Sequence, residues 1–458
     1  MFLKILMLLH LIVFIGNLNA NNTNEFSFLV AGHAYGAHEG TNLGLHPPFL
    51  QKLESELDSS VFAIFLTGDI VNESTKKSWS KVANELQDLK LESYYIMGNH
   101  DENALGYSIF NEKHGRSYYA LINQNNLFVV LNSTIGDRNI SEEQLAFLDN
   151  ELKNSGAGAD HIYIFFHEVL WNSLEKYSGV LSNSRSRFNQ IKSHSNYWED
   201  VHPMLVECGK QVVVFTGDVA GNADAIPAFY DRWGNVTLVS SGMGEVSGEN
   251  FIRVNVAPDK LDLKLIGLQD DYELNPIEFY SIPEMPDTIF GPVFVQSGAN
   301  AVEYAIPEIF NSSETKWTLS EELTGESSEN HILINFSSGF NNGTIRARAV
   351  HEGFGQSEEK VLKVSTGEAT AFNVERLERK MKWMQNGNVV QVELVGFSDE
   401  LLNLKLFDGA GNCVFQSEIL NTQLYSNIEI ACDQLTRGLF FLYINGLKFT
   451  ESIKIVIH

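Results

Sequence analysis

Six runs of β-branched and aromatic residues recur through the first 270 residues: FSFLVA (26–31), VFAIFLT (61–67), SYYIM (93–97), LFVVLN (127–132), HIYIFF (161–166) and QVVVFT (211–216). They carry few polar residues at alternate positions, so neither face suits water. Such runs belong to strands covered on both faces by other elements. Between several of them lie amphipathic stretches of helical period: PPFLQKLESELD (47–58), SWSKVANELQDL (78–89) and SEEQLAFLDNELKN (141–154). The last opens on a capping-box pattern, Ser141 with an acid or amide three positions on. Strand and helix in alternation predict an α/β sandwich with a largely parallel sheet over about 25–268.

The residues at the ends of the runs narrow the chemistry. LTGDIV (66–71) and FTGDVA (215–220) each push an aspartate off a strand tip, Asp69 and Asp218. YYIMGNHDEN (94–103) turns at Gly98 and delivers Asn99, His100 and Asp101 together, and IFFHEV (164–169) places His167 at a strand end. In α/β sheets the carboxyl ends of strands are where ligands bind. A polar turn uses Asn or Asp, but rarely with a histidine between them. Carboxylate, imidazole and amide oxygen without thiolate are donors for hard or borderline divalent ions, and Mn, Fe, Zn and Mg all fit that set.

The order and spacing of these motifs resemble the calcineurin-like metallophosphoesterases over about 26–240. That family's signature runs D-x-H, G-D, G-N-H-D/E, a lone His and G-H-x-H, each at a strand end. The resemblance implies an α/β sandwich of the metallophosphoesterase type and a pair of divalent metal ions. Carried onto this chain, Asp69 bridges the metals, Asn99 and His167 are ligands, and His100 is the general acid or phosphate contact with Asp101 orienting its imidazole. The chain departs from the pattern at both ends. The first motif reads Ala31-Gly32-His33, keeping the histidine without its carboxylate. The last reads Gly217-Asp218-Val219-Ala220, with Asp and Ala where the family has two histidines.

Asp218 stands at a ligand position, so Asp69, Asn99, His167 and Asp218 make one four-ligand site, while His33 and Asp69 alone remain of the other. The loop AYGAHEGTNLGLHPP (34–48) offers Tyr35, His38, Glu39 and His46 as substrate contacts or replacement ligands. Glu199 and His202 in YWEDVHPML fit a helix packing its apolar side inward. The resemblance implies a metal-dependent hydrolase of phosphate mono- or diesters with an altered site, either mononuclear or holding two divalent ions. The alternative is a degenerate, non-catalytic binding protein at the cell surface. Ala31, Asp218 and Ala220 at ligand positions support it; the intact Gly98-Asn99-His100-Asp101 opposes it.

Beyond about 280 the helical period disappears. Short alternating strands over 285–368, with KWTLS and GTIRARAVHEGFGQSE, resemble the PKD-like β-sandwich domains of secreted proteins. Residues 376–458, with NLKLFDGAGNCVF, RGLFFLYING and ESIKIVIH, resemble type IX secretion C-terminal sorting domains. Residues 1–20 read as a secretory signal peptide ahead of a phosphoesterase-like domain at 21–280. Together these imply a secreted or outer-surface protein whose partners are a phosphoester substrate and the type IX machinery. No later stretch is apolar enough for a transmembrane segment. A net charge of −26 repels phosphate-rich polymers, so nucleic acid is not an expected partner. Of the three cysteines, Cys413 and Cys432 share the terminal module and are candidates for pairing.

Overall fold

The computed structural model describes residues 25–38, 42–136, 138–183, 195–257, 260–367, 380–386, 389–395, 400–408, 413–421, 425–431, 435, 438–446 and 449–457. The segment expected as a signal peptide lies outside these residues, as do Glu39 and Cys432. Two compact units divide the chain: one runs to Ile282 and takes in Gly353–Gly355, the other comprises Pro283–Glu352 and the residues from Gln356 on.

In the first unit the expected strands and helices appear as β1 (Phe26–Ala31), α1 (Pro47–Glu56), β2 (Val61–Thr67), α2 (Lys76–Leu89), β3 (Ser93–Ile96), β5 (Asn126–Val130), α4 (Glu142–Asn154), β6 (His161–Phe165) and β7 (Gln211–Thr216), while α3 (Ala104–His114) and β4 (Tyr119–Asn123) stand between them without having been expected. Four further strands complete it: β8 (Ala228–Trp233), β9 (Val236–Ser241), β10 (Asn250–Ala257) and β11 (Lys260–Gly267). The strands form two mixed sheets, not one largely parallel one. Their orders are β11-β10-β1-β2-β3 and β4-β5-β6-β7-β9-β8. The runs seen in the sequence form parallel sets, β1-β2-β3 with β3 at the sheet edge and β5-β6-β7, which β9 extends in parallel; β10, β11, β4 and β8 join antiparallel.

The reason for the split lies in the aromatic residues. Phe26, Phe28 and Phe65 of the first sheet interdigitate with Phe128, Tyr163, Phe165 and Phe215 of the second. Phe65 stacks on Phe165 with centroids 4.3 Å apart and planes 6° from parallel. Such a layer loses water on both sides and supplies the centre of the sandwich. The intervening residues point outward under helices. Leu29, Ile64 and Leu66 share a core with α1, α2 and α3, while Val129, Ile164 and Val214 share one with α4 and the helical stretch 197–207. Every run is therefore apolar on both faces, and the layers read helix, sheet, sheet, helix.

Local signals were met unevenly. Asn103 caps α3 through the amide of Gly106 at 2.8 Å. Ser141 makes no side-chain cap. Its partner three positions on, Gln144, is buried instead and holds the backbone of Asn132, accepting its N–H at 2.7 Å and donating to its carbonyl at 2.9 Å. Satisfying a buried strand end outweighs an exposed helix cap.

The second unit is built of sheets alone among its described residues. Over 294–366, strands Phe294–Val295, Lys360–Thr366, Asn342–His351 and Glu314–Leu319 form one sheet, and Val302–Ala305, His331–Phe336 and Leu323–Ser328 another, around Tyr304, Ile334 and Ile345. Over 380–457, Lys380–Asn386, Val389–Val395 and Tyr425–Ala431 form a three-stranded sheet; Cys413–Asn421, Glu400–Asp408, Gly438–Gly446 and Phe449–Ile457 form a four-stranded one. Val392, Leu404 and Leu442 lie in that core. No helix among the described residues is long and apolar enough to cross a membrane.

His114 ties the end of α3 to β3. Its Nε2 accepts the Tyr95 N–H at 3.2 Å, and its ring stacks on Tyr119 with centroids 4.4 Å apart. Burial, aided by Lys113, pushes its pKa from 6.5 down to about 4. A depressed folded-state value means that the stabilisation is complete above about 6.5 and is lost as pH falls towards 4. The urea midpoint should therefore fall between pH 7 and pH 4 more steeply for the native chain than for His114→Gln, whose amide oxygen can accept the same bond without titrating. Equal slopes would remove His114 from this role.

Candidate metal centre

The tips of β1, β2, β3, β6 and β7 deliver His33, Asp69, Asn99, His167 and Asp218. Two of these sit in the left-handed region, His33 at φ 56° and Asp69 at φ 51°, a costly conformation for a side chain and one that clusters at functional sites. The turn after β3 must pass very close. A Cβ on Gly98 would land on the amide and carboxylate of Asp69, and one on Gly68, itself at φ 86°, would land on the His167 ring. Only glycine allows the three turns to meet.

Asp69 is the hub. Its Oδ2 lies 3.3 Å from His33 Nε2 and its Oδ1 lies 3.3 Å from His167 Nε2, while Asp218 Oδ1 lies 3.8 Å from the same His167 nitrogen. His33, Asp69 and Asp218 each offer a ligand atom within 4.8 Å of the others, and all three are buried. The Nδ1 of His167 meets the Thr67 carbonyl at 2.8 Å; a carbonyl only accepts, so Nδ1 carries hydrogen and Nε2 is the atom turned to the carboxylates. The 3.3 Å approach to Asp69 has ion-pair distance without hydrogen-bond alignment. His167 Nε2, Asp69 Oδ2 and Asn99 Oδ1 are all buried atoms with no hydrogen-bond partner. Buried polar atoms are ordinarily satisfied. These three, an imidazole nitrogen, a carboxylate oxygen and an amide oxygen, are the donor types of a divalent cation site, and the residues present fit such an ion.

The charges point the same way. Burial disfavours ionised Asp69, but the attraction of His167 and then His33 outweighs it, and the carboxyl is held well below its ordinary range. Burial alone would hold His167 neutral; Asp69 and Asp218 reverse this and raise its pKa. At His33 burial wins over the same two carboxylates, and its pKa is lowered. Burial raises Glu168, which pairs with the Ser133 hydroxyl.

His100 and Asp101 have separate jobs. The carboxylate of Asp101 accepts backbone N–H groups from Ile70 (3.0 Å), Val71 (3.2 Å) and Gly98 (3.0 Å), tying the Asp69 turn to the Gly98 turn. Burial, then the charge of Asp69, pushes its pKa up to about 7, with the amide donors pulling it back. The His100 imidazole is oriented by Asn72 instead, whose carbonyl lies 2.8 Å from Nδ1. The expectation that Asp101 orients His100 is thus replaced: sequence neighbours after a tight turn point different ways, and unpaired amides claim the carboxylate.

Tyr35 packs its buried ring between His33 and His100, with centroids 4.6 and 5.1 Å away. His38 reaches the same rim, 3.2 Å from the Asn72 side chain and with its ring 5.4 Å from that of His100. His46 turns to Glu249 at 3.5 Å. The His202 ring lies tilted against Trp198 with centroids 4.6 Å apart, within the helix packing expected of it. Two contributors carry no motif of their own. Asn72, three residues past Asp69 in LTGDIVN, lay within reach of sequence reasoning. Asn183, whose Nδ2 donates to Asp218 Oδ1 at 3.0 Å, comes from the polar stretch LSNSRSR and carries no signal.

The two-sheet α/β sandwich gathers carboxylate, imidazole and amide donors at its strand ends, a cluster that could hold a metal ion. Residues 38–242 match the sequence profile of the calcineurin-like phosphoesterase family, whose members are generally hydrolases and typically bind divalent metals. The matched span holds Asp69, Asn99, His100, Asp101, His167 and Asp218 and begins after His33. No curated protein matches the chain in sequence. Among solved structures the chain is similar to the D00-D0 domain of intimin, at 9% identity over 37% of this chain and 98% of that one with a TM-score of 0.15. It is also similar to the fibronectin(III)-like modules of Clostridium thermocellum CbhA, at 12% identity over 37% and 93% with a TM-score of 0.15. A third is bovine butyrophilin, at 12% identity over 37% and 98% with a TM-score of 0.12.

Gly98→Ala should destabilise the metal-free chain by roughly 1–3 kcal/mol in urea unfolding, because the Asp69 turn must move. Gly158→Ala, where a Cβ meets nothing within 4 Å, should stay within about 0.5 kcal/mol. Equal effects would mean that the close approach of the turns is not under constraint.

Proposed function

We propose that the first unit is a metal-dependent phosphoesterase hydrolysing a phosphate mono- or diester, on a chain exported by its signal peptide and sorting domain. The observation that carries the activity is the set of unpartnered buried donors, Asp69 Oδ2, Asn99 Oδ1 and His167 Nε2, beside an imidazole that is already oriented. Asp69, Asn99, His167 and Asp218 would hold the ion. When bound, a divalent ion polarises a phosphoryl oxygen and lowers the pKa of water.

The remaining work belongs to the chain. The Thr67 carbonyl fixes the tautomer of His167 so that a lone pair faces the carboxylates when the ring is neutral. The Asn72 carbonyl holds Nδ1–H of His100, which leaves Nε2 as the atom that gives a proton to a leaving oxygen. Asp101 keeps the Asp69 and Gly98 turns in register, so that Asn99 and Asp69 stay together. Tyr35, packed against both His33 and His100, limits the movement of the two rings. His38 and its partner Asn72 form the rim that a substrate would meet.

A second reading has its own support. Ala31 and Ala220 are buried apolar residues at positions where the family keeps ligands, and Ala220 occupies a left-handed turn at φ 58°. A chain relieved of turnover would bind a phosphoester and leave it intact.

The full chain loaded with Mn2+ should hydrolyse p-nitrophenyl phosphate or its bis ester. His100→Ala should lower kcat by about 10^2–10^4 with unchanged bound Mn2+, the loss expected for a proton donor. Tight product or analogue binding by the loaded chain with no turnover of either ester would instead establish the non-catalytic reading.

A further inference from the structure

By sequence, the first metal position retains only His33 and Asp69, too few ligands to hold an ion. The fold brings two more groups to it. Asp218 Oδ1 and His33 Nε2 both lie against the side-chain amide of Asn183, at 3.0 and 3.4 Å from its Nδ2. His33 Nε2 is 3.3 Å from Asp69 Oδ2, and that oxygen is buried and unpartnered. Ligand atoms placed about 2.0–2.2 Å from one tetrahedral ion stand roughly 3.3–3.6 Å from each other. Three separations among these groups, 3.0, 3.4 and 3.3 Å, fall close to that range.

From this arrangement, and resting on the metal-dependent reading above, we infer that Asn183 replaces the lost imidazole of the first metal position. It completes a second divalent-cation site with His33 Nε2, Asp69 Oδ2 and the Asp218 carboxylate. The two ends of a carboxamide exchange by a half-turn of its terminal bond. The Nδ2 end of Asn183 faces the carboxylate as a hydrogen-bond donor. With the half-turn, Oδ1 takes that place as a ligand. Asn222, whose Nδ2 donates to Asn183 Oδ1 at 3.0 Å, turns with it and keeps the outer end satisfied. One bond lost by that turn is the exposed 3.2 Å contact from the Asp224 amide to Asn222 Oδ1.

The position of Asn183 does not depend on its side chain. Its own N–H donates to the Asp218 carbonyl at 3.2 Å, so the backbone fixes the amide beside the carboxylate it would share an ion with.

The test uses the full chain, stripped by a chelator and titrated with Mn2+, with free Mn2+ counted by electron paramagnetic resonance. Two ions are expected for the native chain. Asn183→Ala should keep one and weaken the other by about tenfold or more, while Asn99→Ala should lose the opposite ion. Asn183→Asp, which can ligate but cannot donate a hydrogen bond to Asp218, should keep both and gain more thermal stability on adding Mn2+ than Asn183→Ala does. A native chain with one ion, lost in Asn99→Ala and kept in Asn183→Ala, would overturn this inference and leave the phosphoesterase reading standing. No ion in the native chain would overturn both. Should Asn183→Ala fail to fold, loss of the second ion in Asn183→Asp would identify Asn183 as only a hydrogen-bond donor and sink the inference.

Discussion

Asp69 is a fully buried carboxylate on a left-handed turn, with imidazoles from two different sheets 3.3 Å from its two oxygens. A charge in that position costs several kcal/mol unless it is matched, and an imperfectly aligned imidazolium matches it only in part. The rest of the centre is arranged to meet that cost. The glycines at 68 and 98 allow the turns to approach, Asp101 fastens the amides behind them, and Thr67 sets the tautomer of the ring that faces Asp69. A divalent cation is a partner whose ligand chemistry matches the donor atoms of Asp69, His167 and Asn99 together.

The two-sheet sandwich makes that cluster possible. A single parallel sheet would line its strand tips along one edge, with β2 and β6 far apart. Folding the aromatic faces of two sheets together brings the tip of β2 against the tips of β6 and β7, so that His167 and Asp218 reach Asp69. The stack of Phe65 on Phe165 and the meeting of Asp69 with His167 are the same packing seen at two heights, since each aromatic lies on a strand and its polar counterpart a few residues on, just past that strand's end.

Most strands were legible because each run is apolar on both faces, a pattern that a solvent-facing strand or an amphipathic helix does not produce. The division into two sheets was not legible: a run such as FSFLVA does not say that its phenylalanines face another sheet and its leucine a helix. The donors at motif positions, Asp69, Asn99, His167 and Asp218, could be read because they sit just beyond the ends of strands. Roles assigned by adjacency fared worse. Asp101 serves backbone amides rather than His100, and Gln144 serves Asn132 rather than the cap of α4, because the unpaired backbone groups of buried turns are stronger claimants than neighbouring side chains. Asn183 was invisible, since a polar loop acquires meaning only when the fold carries it to Asp218.

The central claim is that the unpartnered donors around Asp69 are cation ligands. Crystals of the full chain soaked in Mn2+, with data collected above and below the manganese edge, test it most directly. The account predicts an anomalous peak about 2.0–2.3 Å from Asp69, Asn99 and His167 Nε2. An ordered site with no peak, and His167 Nε2–H donating to Asp69 in an aligned hydrogen bond, would contradict it.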